Sequence, residues 1–102
     1  MTARFGLSGQ NIQQYQSIFA DFQEVEQVII YGSRAKGNFR AASDIDLTLI
    51  GNISWERFTA LETCLDDLML PYQIDLSIYN QIDNPDLLDH IERVGQVFYH
   101  KA

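Results

Sequence analysis

The chain has 102 residues, 46% of them hydrophobic, and a net charge of −7. That hydrophobic fraction excludes a disordered chain, and the length suits one domain and is too short for two. The acidic balance excludes a nucleic-acid binder working by general phosphate attraction. No apolar run approaches the ~20 residues of a membrane span. The N-terminus Met1-Thr2-Ala3-Arg4-Phe5 lacks the apolar stretch of a signal peptide. A lone cysteine, Cys64, rules out an internal disulfide or a Cys-rich zinc site. A cytoplasmic location follows as the expectation.

The elements alternate along the chain. Ser8 is placed to cap a helix from about Gln10 to Phe22, where Ile12, Tyr15, Ile18, Phe19 and Phe22 form one apolar stripe. Val25 to Tyr31 reads as a buried strand that Gly32 ends. Ser33 to Lys36 can open a short helix, stopped by Gly37-Asn38. Asp44 to Ile50 is a second strand. Ser54 caps a helix from Trp55 to Met69, with Phe58, Leu61, Leu65 and Leu68 on one face, and Pro71 breaks the chain. Tyr72 to Tyr79 is a third strand. Pro85 fits the first turn of a helix running to about Val94, and Val97-Phe98-Tyr99 adds a short edge strand. This alternation predicts an α/β or α+β sheet with helices packed on it, as one domain over residues 1–102.

The chemistry is concentrated in Gly32-Ser33-Arg34-Ala35-Lys36-Gly37 and Ser43-Asp44-Ile45-Asp46-Leu47. On a strand, Asp44 and Asp46 share one face while Ile45, Leu47 and Leu49 share the other. Two adjacent carboxylates repel, and a divalent cation removes that penalty. A lone Asp-x-Asp reads best as a strand start with a solvent-facing acid. Gln73-Ile74-Asp75-Leu76-Ser77-Ile78 repeats the arrangement, and an acid midway along an apolar strand serves solubility poorly. If both apolar faces meet one helical layer, Asp44, Asp46 and Asp75 share the opposite face.

Upstream, a strand gives way to glycine and then to a hydroxyl residue at the start of a helical turn. Free N–H groups there favour a phosphate, and Gly32 lets a ligand approach the backbone. Gly-Ser alone marks no more than a cap. Set ten residues before Asp-x-Asp, it pairs a phosphate-holding turn with metal-holding acids. Arg34 and Lys36 are the preferred phosphate contacts after Ser33. Together with Arg40 they form a basic cluster in an acidic chain, an arrangement that by itself reads as a solvated turn.

Gly32-Ser33, ten residues, then Asp44-Ile45-Asp46 resembles the pattern of the DNA polymerase beta-type nucleotidyltransferase superfamily. The Arg34, Gly37 and Ser43-to-Leu47 context looks like its minimal nucleotidyltransferase (MNT) branch, and the resemblance extends to Gly95-Gln96-Val97-Phe98-Tyr99. It implies a small mixed sheet with helices packed on one face. It also implies that Asp44 and Asp46 bind two Mg²⁺ ions, that Asp75 completes one metal site and helps activate an acceptor hydroxyl, and that Gly32 and Ser33 hold the triphosphate of ATP. Members of this branch are commonly encoded beside a small all-helical HEPN-type protein. They act as antitoxins that transfer AMP from ATP to a tyrosine of that partner, or, on an older view, serve as the catalytic half of a two-part nucleotidyltransferase.

The motif, sheet and helices use up the chain, so the acceptor is expected from outside. Competing readings are a module that neutralises its partner by contact without turnover, and transfer to a small molecule. The acid triad favours an enzyme. His90 and His100 have no partner at ligand spacing. Trp55 and Cys64 read as packing residues, and Tyr31 reads at least as well as core as it does as a ligand contact.

Overall fold

The computed structural model describes residues 3–102. The elements are α1 (Gly9–Ala20), β1 (Val25–Tyr31), α2 (Gly32–Lys36), β2 (Ile45–Gly51), α3 (Trp55–Asp66), β3 (Ile74–Ile78), a 3₁₀ turn (Tyr79–Gln81), α4 (Pro85–Val94) and β4 (Gln96–His100). Local chemistry sets their starts. The Ser8 hydroxyl accepts from Asn11 N at 3.0 Å, and Ser54 accepts from Arg57 N at 3.2 Å. Asn84 accepts from Asp86 N and Leu87 N, with Pro85 in the first turn of α4. Each cap satisfies N–H groups that the helix itself leaves without partners. Gly37, at φ 90°, ends α2 in the left-handed region as its position in the sequence suggested.

The strands form one mixed sheet in the order β3-β2-β1-β4. β1 pairs antiparallel with β2 and with β4, and β2 pairs parallel with β3. A parallel pair requires a crossover, and α3 supplies it. Val28, Ile30, Ile45, Leu47 and Leu49 project from one face into a core closed by Ile12, Tyr15 and Phe19 of α1 and Phe58, Leu61 and Leu65 of α3. Phe98 of β4 joins the same core, edge-on to Phe19 with centroids 6.3 Å apart.

The expected helical layer on one face is thus built by α1 and α3. Helix α4 packs elsewhere: its His90 ring meets Tyr31, which is on the face opposite Val28 and Ile30. No described helix is long and apolar enough to cross a membrane.

Three expectations give way to the packing. Helix α3 ends at Asp66 rather than Met69, and Met69 turns to φ 56° just before Pro71. Trp55, the first residue of α3, is 67% exposed, its indole set at about a right angle to the Phe58 ring with centroids 5.2 Å apart. Cys64 is exposed as well, being rotated off the stripe of Phe58, Leu61 and Leu65 that faces the core.

At the far end of β2, Gly51 has φ 148° and lies opposite Val25 at a register shift. A Cβ there would collide with the Glu24 carbonyl oxygen. Gly51→Ala is therefore expected to lower stability by more than ~1 kcal/mol. Urea unfolding followed by circular dichroism measures this, and an unchanged midpoint would show that the β1–β2 end absorbs a side chain without cost.

Candidate active site

The pairing of β2 with β3, only inferred from the sequence, is the origin of the site. The two strands run parallel with Asp46 opposite Asp75 and Thr48 opposite Ser77, while Tyr31 of β1 faces Asp46 from the other side. Tyr31, Asp46 and Asp75 thus form a row across three adjacent strands, on the face away from the α1–α3 core. Asp44 precedes β2 and is exposed, as is Asp75, whereas Asp46 is half-buried.

Asp46 is the constrained member of this row. Its carboxyl is held above the usual aspartate range by burial first, then by the negative charges of Asp75 and Asp44, with His90 pulling the other way. Its position depends on Gly32, whose φ is 74°: a Cβ on that residue would collide with the Asp46 Oδ2 atom. The missing side chain of Gly32 therefore makes room for a carboxylate of the chain itself, in addition to the ligand approach read from the sequence. The Tyr31 phenol is pushed up by burial, pulled down by the neighbouring Ser77 side chain, and pushed up again by Asp75 and Asp46.

Ser33 is half-buried in the first turn of α2, one residue beyond Gly32, and Lys36 is exposed at its end. Arg34 departs from its expected place. It is 2% exposed, and its guanidinium donates to Phe5 O, Ala41 O and Ser43 O at 2.8–3.2 Å. With its donors spent on backbone carbonyls and its side chain buried, this arginine is a strut within the fold and not the open contact expected. The basic cluster therefore reaches solvent through Lys36 and Arg40 alone.

His90 was set aside on sequence grounds, for want of a partner at ligand spacing. The fold brings it edge-on to Tyr31 with ring centroids 6.1 Å apart, close enough to influence Asp46. Nothing local in the sequence signals this, because it depends on α4 returning across β1. Thr48 was also missed. It is fully buried on the acid face, and its Oγ1 has no hydrogen-bond partner among the described residues.

Among the described residues, no three acidic, histidine or cysteine side chains form a ready-made cation cage. The donor set nevertheless fits Mg²⁺. This ion favours one or two carboxylates and takes its remaining oxygens from water and substrate phosphates. An aspartate whose charge is opposed by burial and by two like charges is the group such an ion relieves.

Residues 13–102 match the protein family described as Polymerase beta, Nucleotidyltransferase. No curated protein matches the chain. Among solved structures, it resembles a chain of a toxin–antitoxin with AMP-PNP at 16% identity and TM-score 0.71, over 89% of this chain and 74% of that one. It also resembles a chain in the structure of tri-AMPylated Shewanella oneidensis HEPN toxin in complex with MNT antitoxin, at 14% identity and TM-score 0.66, over 90% and 71%. A third likeness is to a chain of the toxin–antitoxin MntA-HepT, at 16% identity and TM-score 0.58, over 90% and 72%. At these identities the likeness is one of fold.

An aspartate raised by folding binds its proton more tightly in the native state than in the unfolded one. Its charge costs stability as pH rises through the folded value, and costs none below the ordinary 3.8. Asp46→Asn is accordingly expected to raise the melting temperature of metal-free protein at about pH 7, the gain shrinking as pH falls toward 4. Thermal melts across that range decide it, and a variant less stable than wild type at neutral pH would contradict the burial argument.

Proposed function

The chain belongs to the polymerase beta nucleotidyltransferase family, and from that premise we propose that it transfers AMP from Mg²⁺-ATP to a tyrosine hydroxyl of a small helical HEPN-type protein, acting as its antitoxin. The observation that carries this reading is the in-register pair Asp46 and Asp75 beside the Gly32-Ser33 turn. It is supported by the fold shared with chains of toxin–antitoxin structures, one holding AMP-PNP and another an AMPylated HEPN toxin.

In this reading Gly32 N–H and the Ser33 N–H and hydroxyl hold the triphosphate, with exposed Lys36 as a further cation for it. Asp44 and Asp46 would hold the Mg²⁺ ions, whose contribution when bound would be to neutralise charge on the phosphates. Asp75, on the edge strand, would complete one metal site and receives the proton of the acceptor hydroxyl. The acceptor oxygen bonds to the α-phosphorus, the bond from that phosphorus to the bridging oxygen breaks, and pyrophosphate leaves. The proton passes to Asp75 and AMP remains on the partner.

The roles separate experimentally. Asp75→Asn is expected to keep most Mg²⁺-ATP affinity and to lose transfer by a factor of ~10² or more. Ser33→Ala deletes a charge-assisted contact of ~1.5–3 kcal/mol and is expected to weaken nucleotide binding. Calorimetry with ATP resolves the two, and a reversal of the pattern would reverse the assignments. Incubation of the protein with Mg²⁺-ATP and a HEPN-type partner is expected to add one or more AMP masses to the partner by intact-mass spectrometry, and Asp44→Asn to abolish them. If the partner's mass stays unchanged while wild type and Asp44→Asn neutralise it equally, inhibition by contact alone replaces the transferase.

A further inference from the structure

We propose that Arg34 is a positioning residue that clasps the phosphate turn to the loop carrying Asp44, so that the ten-residue spacer between them behaves as one rigid piece. Arg34 directly follows Ser33 and lies within α2. Its Nε donates to Ser43 O at 3.1 Å, and its Nη2 donates to the same carbonyl at 2.9 Å and to Ala41 O at 3.2 Å. Ser43 is the residue before Asp44. The guanidinium thereby closes residues 34–43 into a ring whose two ends carry the phosphate turn and the first acid.

The loop supports this closure from its other side. Ser43 N donates to Arg40 O at 3.0 Å, and Arg40 N donates to Ser43 Oγ at 2.9 Å, so residues 40–43 form a tight turn presenting two carbonyls inward. A third anchor comes from the N-terminal turn, where Nη1 donates to Phe5 O at 2.8 Å. Phe39 and Tyr72 flank the guanidinium at 5.3 and 5.2 Å. No carboxylate pairs with Arg34: neither of the two ion pairs among the described residues includes it. Its charge is balanced by carbonyl dipoles and aromatic faces. A buried cation is costly, and here its donors converge on the backbone beside Asp44, which belongs to no strand and has no ladder to fix it. The geometry is that of a planar fork, and the single ammonium of lysine cannot reproduce it.

This inference rests on the reading of Asp44 as a metal ligand, and its test has one arm that does not. In Arg34→Lys, hydrogen–deuterium exchange over residues 37–44 is expected to rise at least tenfold while β1 and β2 keep their protection. Mn²⁺ affinity, measured by electron paramagnetic resonance with a non-hydrolysable ATP analogue present, is expected to fall tenfold or more, with metal-free nucleotide affinity changing by less than threefold. Phe39→Leu removes one aromatic wall, leaves every hydrogen bond, and is expected to give a smaller change of the same kind, which decides the matter should the lysine variant not fold. Unchanged exchange over 37–44 would overturn the clasp. A loss confined to metal-free nucleotide affinity would return Arg34 to the role of phosphate contact. Absence of Mn²⁺ binding in the wild type would instead remove the metal reading, leaving the exchange arm to decide the clasp.

Discussion

Asp46 and Asp75 face each other across a parallel strand pair, and the rest of the structure serves to keep them there. Like charges directly opposite on neighbouring strands destabilise a sheet. What holds the register is the other face. Ile45, Leu47 and Leu49 are all fully buried beneath α1 and α3, and a slip of β2 by one residue would turn them to solvent and Asp46 into the core. The apolar alternation thus specifies the acid alignment, and the two cannot be separated. Helix α3 contributes twice, as the lid of the core and as the crossover that makes the pair parallel.

The same constraint accounts for the composition of the acid face. Asp46 sits above Gly32, beside the Tyr31 phenol and near His90, which leaves it half-buried and short of compensation. Burial and like charge together make the isolated fold carry a penalty at this point. On the proposed reading, a cation with phosphate ligands would remove that penalty, and the stabilisation gained on binding would reflect how poorly Asp46 is accommodated without it. Asp44 and Asp75, both exposed, do not share the burial. Strain of this kind is concentrated in one carboxylate, at the centre of the row.

The sequence made the periodic features legible. Alternation in residues 44–50 and 74–78 identified the strands and put Asp46 and Asp75 on the faces opposite their apolar partners, and Ser8, Ser54 and Pro85 marked three helix starts. The features it hid depend on tertiary return of the chain. The place of His90 follows from where α4 crosses β1, and the exposure of Trp55 from how the start of α3 packs. Arg34 is the instructive case. Its charge and its place beside Ser33 suggested an anion, whereas its partners are neutral carbonyls seven and nine residues onward. A spacing pattern records that a residue is near the site without recording which way it turns.

Strand order also gives the proposed chemistry a direction. The phosphate turn follows β1, Asp46 stands on the middle strand, and Asp75 stands on β3 at the open edge of the sheet. On the proposed reading, a nucleotide held at Gly32-Ser33 would sit on the β1 side of Asp46. The side left for an attacking hydroxyl is that of the edge strand, where Asp75 is exposed and no further strand intervenes. The proposed reading thus puts donor and acceptor on opposite flanks of Asp46, as an in-line displacement requires of its entering and leaving oxygens. On that reading the acceptor hydroxyl approaches an exposed carboxylate on an edge strand, a position open to a side chain carried by a folded partner.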